Sequence, residues 1–320
     1  MFWGSIWQEL LFQLLVFRAA LSFISAQISL VYGYSMRNTE QEWNLANMTS
    51  KKITTALRRT LVGAAFIASA ATSVSAAAES NTVDQILKSG ELRLCFEAGY
   101  IPFEMTAKNG QYVGFDIDVA KHLARSMGVK FVPVNTAWDG IVPALKTNKC
   151  DFIAGMTVTT ERNLSVLFAD DYLKMGQTIL ISPKLKDKIH SYRDLNNKNY
   201  TVATQMGTSS AIGASKYLFN ARVDLYDTSA DAVLQVMNGK ADAFVYDLPY
   251  NAMYEAQHQG QVVHLDKPFT FEPLGWAIRR GDYDFLNLLN NYMKQIRGDG
   301  TYDRIYDKWF KSDKWLSQVQ

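Results

Sequence analysis

The chain is poor in cysteine, histidine and proline, and these shortages exclude several classes of protein. Its 320 residues hold 2 cysteines, too few for the disulfide framework of a small secreted domain. The 4 histidines are scattered without ligand spacing, which predicts that no metal is bound. No phosphate-binding loop of the GxxxxGK type occurs, so the sequence indicates neither a nucleotide-driven motor nor a bound cofactor.

Excess positive charge is also lacking once the N-terminal stretch is set aside. The formal net charge is +2, but residues 1–78 hold six of the 33 Lys and Arg and only three of the 31 Asp and Glu. The rest of the chain therefore has 27 basic and 28 acidic side chains. Without a basic stripe to hold a phosphate backbone, we expect no nucleic-acid partner.

Residues 48–78 have the three parts of a cleavable export signal. Four basic residues precede an apolar run, LVGAAFIASAA at 61–71, and small residues follow, so the cut falls after Ala76 or after Ala78. No lipobox cysteine follows, which predicts a freely diffusing protein of the periplasm. The basic residues are Lys51, Lys52, Arg58 and Arg59.

Residues 1–47 precede this complete signal and leave two interpretations open. The segment from Leu10 to Tyr32 is apolar and nearly long enough to span a bilayer, although Arg18 interrupts it. It is either a membrane anchor or a non-native upstream extension translated from a start codon set too early. We favour the extension, because the signal that begins at Met48 is complete without it.

The mature chain alternates short β-branched runs with amphipathic helical stretches, which is typical of an α/β protein with largely parallel sheets. Residues 79–181 and 275–320 are predicted to form a first lobe, and 182–274 a second lobe inserted into it. Two extended segments, near 178–182 and 275–279, are the predicted crossings. Asp139 is predicted to cap a helix that runs to Leu145, and the last helix is predicted over 284–296.

The two cysteines are predicted to lie near neighbouring strands of the first lobe. Cys95 falls within one predicted strand, whereas Cys150 precedes another. We expect this offset to stagger them too far apart for a bridge, so that both act as packing residues.

Four short segments contain groups that together suit one small zwitterion. GMTVTTER, at 155–162, supplies an arginine beside a threonine-rich turn, which suits a carboxylate, and QMGTSS, at 205–210, opens a helix. VYDLP, at 245–249, places an aspartate at the end of an apolar strand, which suits an ammonium group. EAGYIPFE, at 97–104, supplies an aromatic ring and a carboxylate for a side chain. The set predicts a receptor for a free amino acid.

These segments occur in an order and spacing that resemble a known family. The stretch from about Ser89 to Phe310 resembles the extracellular solute-binding proteins of family 3, which serve amino-acid ABC importers. Three further segments carry the resemblance, namely YVGFDIDVAKHLA, AWDGIVPAL and DGTYDRIYDKWF. The resemblance implies a two-lobed, type II clamshell with two crossing hinge strands and the ligand in the cleft. It also implies a membrane permease as partner, and we expect a monomer.

The resemblance implies a role for each of ten residues. Arg162 matches the arginine that pairs with the ligand α-carboxylate, and Asp247 the acid that receives its ammonium group. The turn at Gly155 and Thr157, and the helix start at Thr208 and Ser209, match main-chain contacts. The other matching positions, which surround the ligand side chain, are Glu97, Tyr100, Trp138 and Gln205.

Two of these residues also have structural interpretations. Asp247 could be a helix N-cap before Leu248 and Pro249, and Arg162 a solvated residue of a first helical turn. Their occurrence in register with the other segments favours the binding roles.

Glu97 between two aromatic rings favours a cationic ligand, namely lysine, arginine, histidine or ornithine, through ion pairing and cation–π attraction. Glutamine binders of the family also carry an acid there, and Gln205 stands where several relatives have lysine or another residue. Two other functions stay open. One is a periplasmic dehydratase of the cyclohexadienyl type, in which Glu97 is the only pocket acid expected to be free. The other is the sensing domain of a tethered receptor, which we expect to continue into an output domain after Phe310.

Overall fold

The computed structural model describes residues 81–319. The predicted upstream extension (1–47) and the predicted signal peptide (48–78) lie outside the described residues, so both stay predictions. Within 81–319, no helix is both long enough and apolar enough to span a membrane.

The first part of the described chain alternates strands and helices. Helix α1 (Thr82–Ser89) begins at Asn81, whose side chain accepts a hydrogen bond from the backbone N–H of Asp84. A 3₁₀ turn at Trp138–Gly140 precedes helix α3 (Ile141–Lys146), so Asp139 does not cap that helix as predicted. The remaining elements are β1 (Glu91–Phe96), β2 (Met105–Thr106), β3 (Tyr112–Val113), α2 (Phe115–Ser126), β4 (Lys130–Asn135), α3 (Ile141–Lys146), β5 (Phe152–Thr157), α4 (Thr160–Asn163), β6 (Leu167–Phe168) and β7 (Leu173–Met175).

The middle part repeats this alternation, and the chain ends with helices. The middle elements are β8 (Gln177–Ile181), α5 (Tyr192–Leu195), β9 (Thr201–Gln205), α6 (Ser209–Tyr217), β10 (Arg222–Tyr226), α7 (Ser229–Met237), β11 (Ala243–Asp247), α8 (Leu248–Gln257) and β12 (Val263–Leu265). The last elements are β13 (Glu272–Ile278), α9 (Tyr283–Gly298), α10 (Thr301–Phe310) and α11 (Leu316–Val319). The prediction that α9 is the last helix was therefore wrong.

Two mixed sheets form the two lobes of an α/β clamshell. The first has the strand order β4-β1-β5-β13-β6, with β7 also paired to β13, and the second has the order β10-β9-β11-β8-β12. In each sheet the central pairs are parallel, as in β1 with β5 and β9 with β11, while β13 and β8 run antiparallel to their neighbours. Strands β5, β9 and β11 are almost wholly buried, as expected where helices cover both faces of a sheet.

The chain crosses between the sheets twice, after β7 and before β13. The two crossings touch, because the N–H of Gln177 donates to the hydroxyl of Thr270 and the N–H of Phe269 donates to the carbonyl of Gln177. Strand β8 belongs to the second sheet, although the predicted boundary placed residues up to 181 in the first lobe. The exact lobe boundaries stay a prediction.

Cys95 and Cys150 form a disulfide, which corrects the prediction that they cannot meet. Their Cα atoms are 5.6 Å apart. The prediction placed Cys150 just before its strand, offset along the sheet from Cys95. In the structure, Cys150 lies in the turn that descends from α3, and it packs with Cys95 and Leu145 in one cluster on the face of the sheet. The turn therefore brings the two cysteines close enough to bond despite their offset along the sheet.

Candidate functional site

A cavity lies between the lobes, near the carboxyl ends of the parallel strands, where open α/β sheets commonly bind ligands. Nine of the ten predicted site residues line it, and the tenth, Gln205, bonds to one of the nine. The lining consists of Glu97, Tyr100, Glu104, Trp138, Ala154, Gly155, Thr157, Arg162, Thr208, Ser209, Ser210, Tyr246 and Asp247.

Arg162 is held on the first-lobe side of the cavity. It lies in the short helix α4, which begins where the Thr159 hydroxyl accepts from the Arg162 N–H. Its Nη1 donates to the carbonyl of Thr157 at 2.8 Å, and its guanidinium carbon lies 5.4 Å from the ring centre of Trp138. Burial lowers the pKa of the guanidinium, and nearby acids, including Asp247, oppose that shift. The side chain of Arg162 is therefore a half-buried cation that lines the cavity, and it is not a solvated residue of a first helical turn.

Gly155 lets other groups approach the wall of the cavity. Its φ of +65° is favoured by glycine, and a Cβ there would lie 3.1 Å from Oε1 of Glu104 and 3.4 Å from the Tyr100 ring. Its N–H donates to the hydroxyl of Tyr172 at 3.0 Å. Two residues on, the Thr157 side chain is buried and faces the other lobe.

The second lobe contributes the start of helix α6. Thr208 occupies the N-cap, where its hydroxyl accepts from the N–H of Ala211, and the helix begins at Ser209. The first N–H groups of a helix have no partner within it and carry partial positive charge, which favours an anionic group. The Ser209 hydroxyl lies 3.1 Å from the Thr157 hydroxyl across the cleft.

Asp247 stands at the N-cap position of α8, yet its side chain makes no capping hydrogen bond. Instead, its carboxylate accepts from the hydroxyl of Tyr100 at 2.5 Å and from Nε2 of Gln177 at 2.6 Å. Burial raises the pKa of Asp247 to about 6, although those two hydrogen bonds and Arg162 act in the opposite direction. The carboxylate is thus turned into the cavity, and the structural interpretation as a helix cap does not hold.

Glu97 is held at the mouth of the cavity by both lobes. Its carboxylate accepts from the backbone N–H of Trp138 at 3.0 Å and from Nε2 of Gln205 at 2.7 Å. Oε1 of Gln205 in turn accepts from the hydroxyl of Tyr246 at 2.9 Å. Burial raises the pKa of Glu97, whereas the bonds from Gln205 and Trp138 lower it. Tyr100 and Trp138, the two predicted aromatic walls, both line the same cavity.

Direct hydrogen bonds cross the cleft and hold the lobes together around the cavity. Besides Glu97 with Gln205 and Tyr100 with Asp247, three more pairs connect the lobes. They are Trp138 Nε1 to Gly207 O at 3.0 Å, Arg162 Nη2 to Gly207 O at 3.3 Å, and the Thr157 and Ser209 hydroxyls.

The sequence-based reasoning missed four lining residues. Tyr246 and Ser210 belong to the segments that were singled out, but neither was assigned a role. Ala154 offered no chemical signal. Glu104 closes the EAGYIPFE segment and is 2% exposed, so the expectation that Glu97 is the only acid available in the pocket was wrong. Its turn position gave no pattern from which burial could be predicted.

No group of metal-ligating side chains suited to hold an ion occurs within residues 81–319. The site consists instead of one arginine, several hydroxyl groups, aromatic rings and three carboxyl groups. Such a set can bind a small dipolar molecule by hydrogen bonds and ion pairs.

Residues 92–312 match the model of the bacterial extracellular solute-binding proteins, family 3. The ABC transporter arginine-binding protein 1 of Escherichia coli is 32% identical over 222 residues, covering 67% of this chain and 88% of that protein. Among solved structures, the ancestral amino acid-binding protein AncCDT-1, a precursor of cyclohexadienyl dehydratase, is 49% identical with a TM-score of 0.68. It covers 72% of this chain and 99% of that one.

A binding component of an ABC transporter from Wolinella succinogenes, in complex with lysine, is 48% identical with a TM-score of 0.69, over 72% of this chain and 99% of that one. The family match spans the strands and helices that build both walls of the cavity. This chain belongs to the bacterial extracellular solute-binding proteins, family 3.

Proposed function

We propose that the protein is the substrate-binding component of an amino-acid ABC transporter. It captures a free cationic amino acid between its lobes in the periplasm and delivers it, as a monomer, to a permease in the inner membrane. The observation that supports this most is that Arg162, from the first lobe, and Asp247, from the second, share one cavity.

The two charges match the two ends of an amino acid. The guanidinium of Arg162, with the Thr157 hydroxyl and the start of α6, suits the α-carboxylate. The carboxylate of Asp247 suits the α-ammonium group. Because a ligand held by residues of both lobes gains all its contacts only when the lobes are closed, its binding favours the closed arrangement.

The preference for a cationic side chain rests on Glu97. It lines the cavity with Tyr100 and Trp138, and a cation near a carboxylate and aromatic faces gains both ion-pair and cation–π attraction. The lysine complex of the Wolinella protein and the arginine-binding function of the E. coli relative support the same class of ligand.

A thermal-shift screen of the common amino acids and ornithine against residues 79–320 tests this function. A ligand of the native state raises the melting temperature by mass action. We expect lysine, arginine, histidine or ornithine to give the largest increase, with calorimetry confirming one site per chain. If no free amino acid raises the melting temperature, the proposal is wrong.

A second candidate is a dehydratase of the cyclohexadienyl type, favoured by one specific observation. Glu104 is a buried acid that lines the cavity, and such a group could donate a proton to a ligand. The similarity to AncCDT-1 makes the comparison pertinent. Incubation with prephenate or arogenate distinguishes the two functions: formation of phenylpyruvate or phenylalanine would support the enzyme, whereas unchanged substrate supports the binding protein.

A further inference from the structure

Two buried carboxyl groups meet behind the cavity wall. Glu104 follows the loop after β1, and Asp116 lies in the first turn of α2; they are 2% and 1% exposed. Gly114 makes this meeting possible, because a Cβ there would lie 2.0 Å from the carbonyl oxygen of Phe103. The start of α2 therefore packs directly onto the segment that carries Glu104.

The hydrogen-bond partners of this pair favour a proton shared between the two carboxyl groups. Oδ2 of Asp116 accepts from the hydroxyl of Tyr172 at 2.8 Å, but its Oδ1 is buried and receives no hydrogen bond from an N–H or hydroxyl group of the described residues. Asp116 is brought next to Glu104, because its N–H donates to the carbonyl of Phe103, the residue before Glu104, at 3.2 Å. A proton on Glu104 would satisfy the buried oxygen, whereas two ionised carboxylates would repel each other in a dry site.

The charges around the pair also favour retention of a proton. Among residues 81–319, neither carboxyl group forms a salt bridge with a lysine or arginine. Arg297 lies near, but it donates to the backbone carbonyl of Tyr172. The ionisable groups that face the pair from the surrounding elements are Glu97, Tyr100, Tyr172 and Tyr302.

The two members of the pair have different roles. Asp116 is the better site for the negative charge, because it receives the Tyr172 hydroxyl and lies at the positive end of α2. Among residues 81–319, no hydroxyl group donates to the carboxyl group of Glu104 in this way. Burial raises the pKa of Glu104 well above its ordinary value and raises that of Asp116 to about 7.

The pair is connected to the ligand cavity at both ends. Glu104 itself lines the cavity, beside Gly155. From Asp116, the Tyr172 hydroxyl continues to the N–H of Gly155, which lies in the same wall. Hydrogen bonds through Tyr172 thus join Asp116 to the wall, while Glu104 lies against the same wall directly.

We propose that Glu104 is a positioning residue that shares one proton with Asp116 and thereby fixes the Gly155 wall for ligand binding. Loss of the proton at alkaline pH separates the carboxylates and loosens the wall, so affinity falls. This inference rests on the proposed function, because its effect is measured as a change in affinity for an amino acid.

Three variants test the role by calorimetry with lysine or arginine at neutral pH. Glu104→Leu removes the proton donor and is expected to weaken binding by roughly 10-fold or more, the usual range for a lost hydrogen bond to a charged group. Glu104→Gln keeps a donor toward Asp116 and is expected to bind within about threefold of the wild type. Glu91→Gln, a surface control that carries the same chemical change, is expected to leave affinity unchanged.

A pH profile separates positioning from a purely structural role. From pH 7 upward, wild-type affinity is expected to fall more steeply than that of Glu104→Gln, which has no proton to lose. Both proteins experience the same titration of the ligand amine, so the difference between them belongs to Glu104. Parallel profiles, or a Glu104→Gln variant as weak as Glu104→Leu, would overturn the proposal, as would unchanged binding by Glu104→Leu. If Glu104→Leu does not fold, the comparison of Glu104→Gln with the wild type decides.

The shared proton is measured separately in the ligand-free protein. With glutamate labelled by ¹³C at the side-chain carboxyl, one resonance is expected to titrate well above the ordinary range and to vanish in Glu104→Gln but not in Glu91→Gln. Absence of that resonance refutes the shared proton even where lysine binds normally. A protein that shows the resonance but binds no amino acid refutes the proposed function instead.

Discussion

At the scale of the residue, the site depends on single charges that are desolvated and hydrogen-bonded. Asp247 shows this most clearly, because its position before Leu248 and Pro249 is that of a helix cap, yet the side chain faces the cavity. Asp247→Asn retains the shape of the side chain and removes its charge. Loss of one partner of a buried charge pair costs about 2–5 kcal/mol, so we expect ligand affinity to fall by roughly 30-fold or more in calorimetry.

The matched control is Asp187→Asn, an exposed carboxylate in the same lobe. It is expected to bind as the wild type does, with both variants giving native circular dichroism. An Asp247→Asn variant with native affinity would show that the ammonium group binds elsewhere.

Glu97 is expected to determine the choice of side chain rather than the binding of the amino-acid core. In Glu97→Gln, a lysine or arginine ligand loses a charge-assisted contact of about 1.5–3 kcal/mol, while glutamine loses little. Calorimetry with lysine and with glutamine therefore gives a ratio of affinities that shifts by roughly tenfold or more. Equal losses for the two ligands would remove Glu97 as the discriminating residue.

At the scale of the element, the disulfide joins strand β1 to the turn that precedes β5. The linked residues are 55 apart in sequence, and closing a loop of that length removes about 4 kcal/mol of unfolded-state entropy. We expect the double variant Cys95→Ala, Cys150→Ala to lose free energy of unfolding of that order, as measured by urea denaturation. Treatment of the wild type with a reductant provides the control, since it should cause the same loss without altering the cluster that packs around the two residues.

The elements that the sequence predicted well are those whose periodicity reflects a single environment. Helix α2 has a clear apolar face, and β9 and β11 are short buried runs. The sequence alone predicts them over 115–127, 200–204 and 241–246, close to their observed bounds. Helix α10 was missed because charged residues separate its few apolar contacts, among them Ile305 and Trp309.

Tertiary geometry explains the other features that could not be predicted from the sequence. The disulfide depends on the turn between α3 and β5, and the burial of Glu104 depends on the packing of α2 over a turn. Neither is encoded in local spacing. Most of the predicted site residues line one cavity because they lie at the end of a strand or near the start of a helix, and such positions converge in an α/β fold.

At the scale of the whole molecule, Asp247 links ligand binding, protonation and stability. Its pKa of about 6 in the folded protein exceeds the ordinary value of 3.8. In the ligand-free protein, the stabilising contribution of this group is therefore complete below about 3.8 and is lost as the pH rises through about 6, a total of about 3 kcal/mol. Asp247→Asn removes this dependence, so the unfolding free energies of the two proteins should diverge over that range.

Without ligand, burial favours the protonated form of Asp247. Binding of an amino acid favours the ionised form instead, because the ligand ammonium group stabilises the carboxylate. Ligand and proton therefore compete for Asp247, and affinity should fall by up to about tenfold for each pH unit below about 6.

Binding at pH 5–6 should also release a proton, up to one per ligand. Calorimetry in two buffers with different ionisation enthalpies measures that release directly. Heats that do not depend on the buffer would contradict the exchange, whereas a release that disappears by pH 8 would locate it at a carboxyl group with this pKa. The competition favours capture at neutral rather than acidic pH, since Asp247 is then already ionised when the ligand arrives.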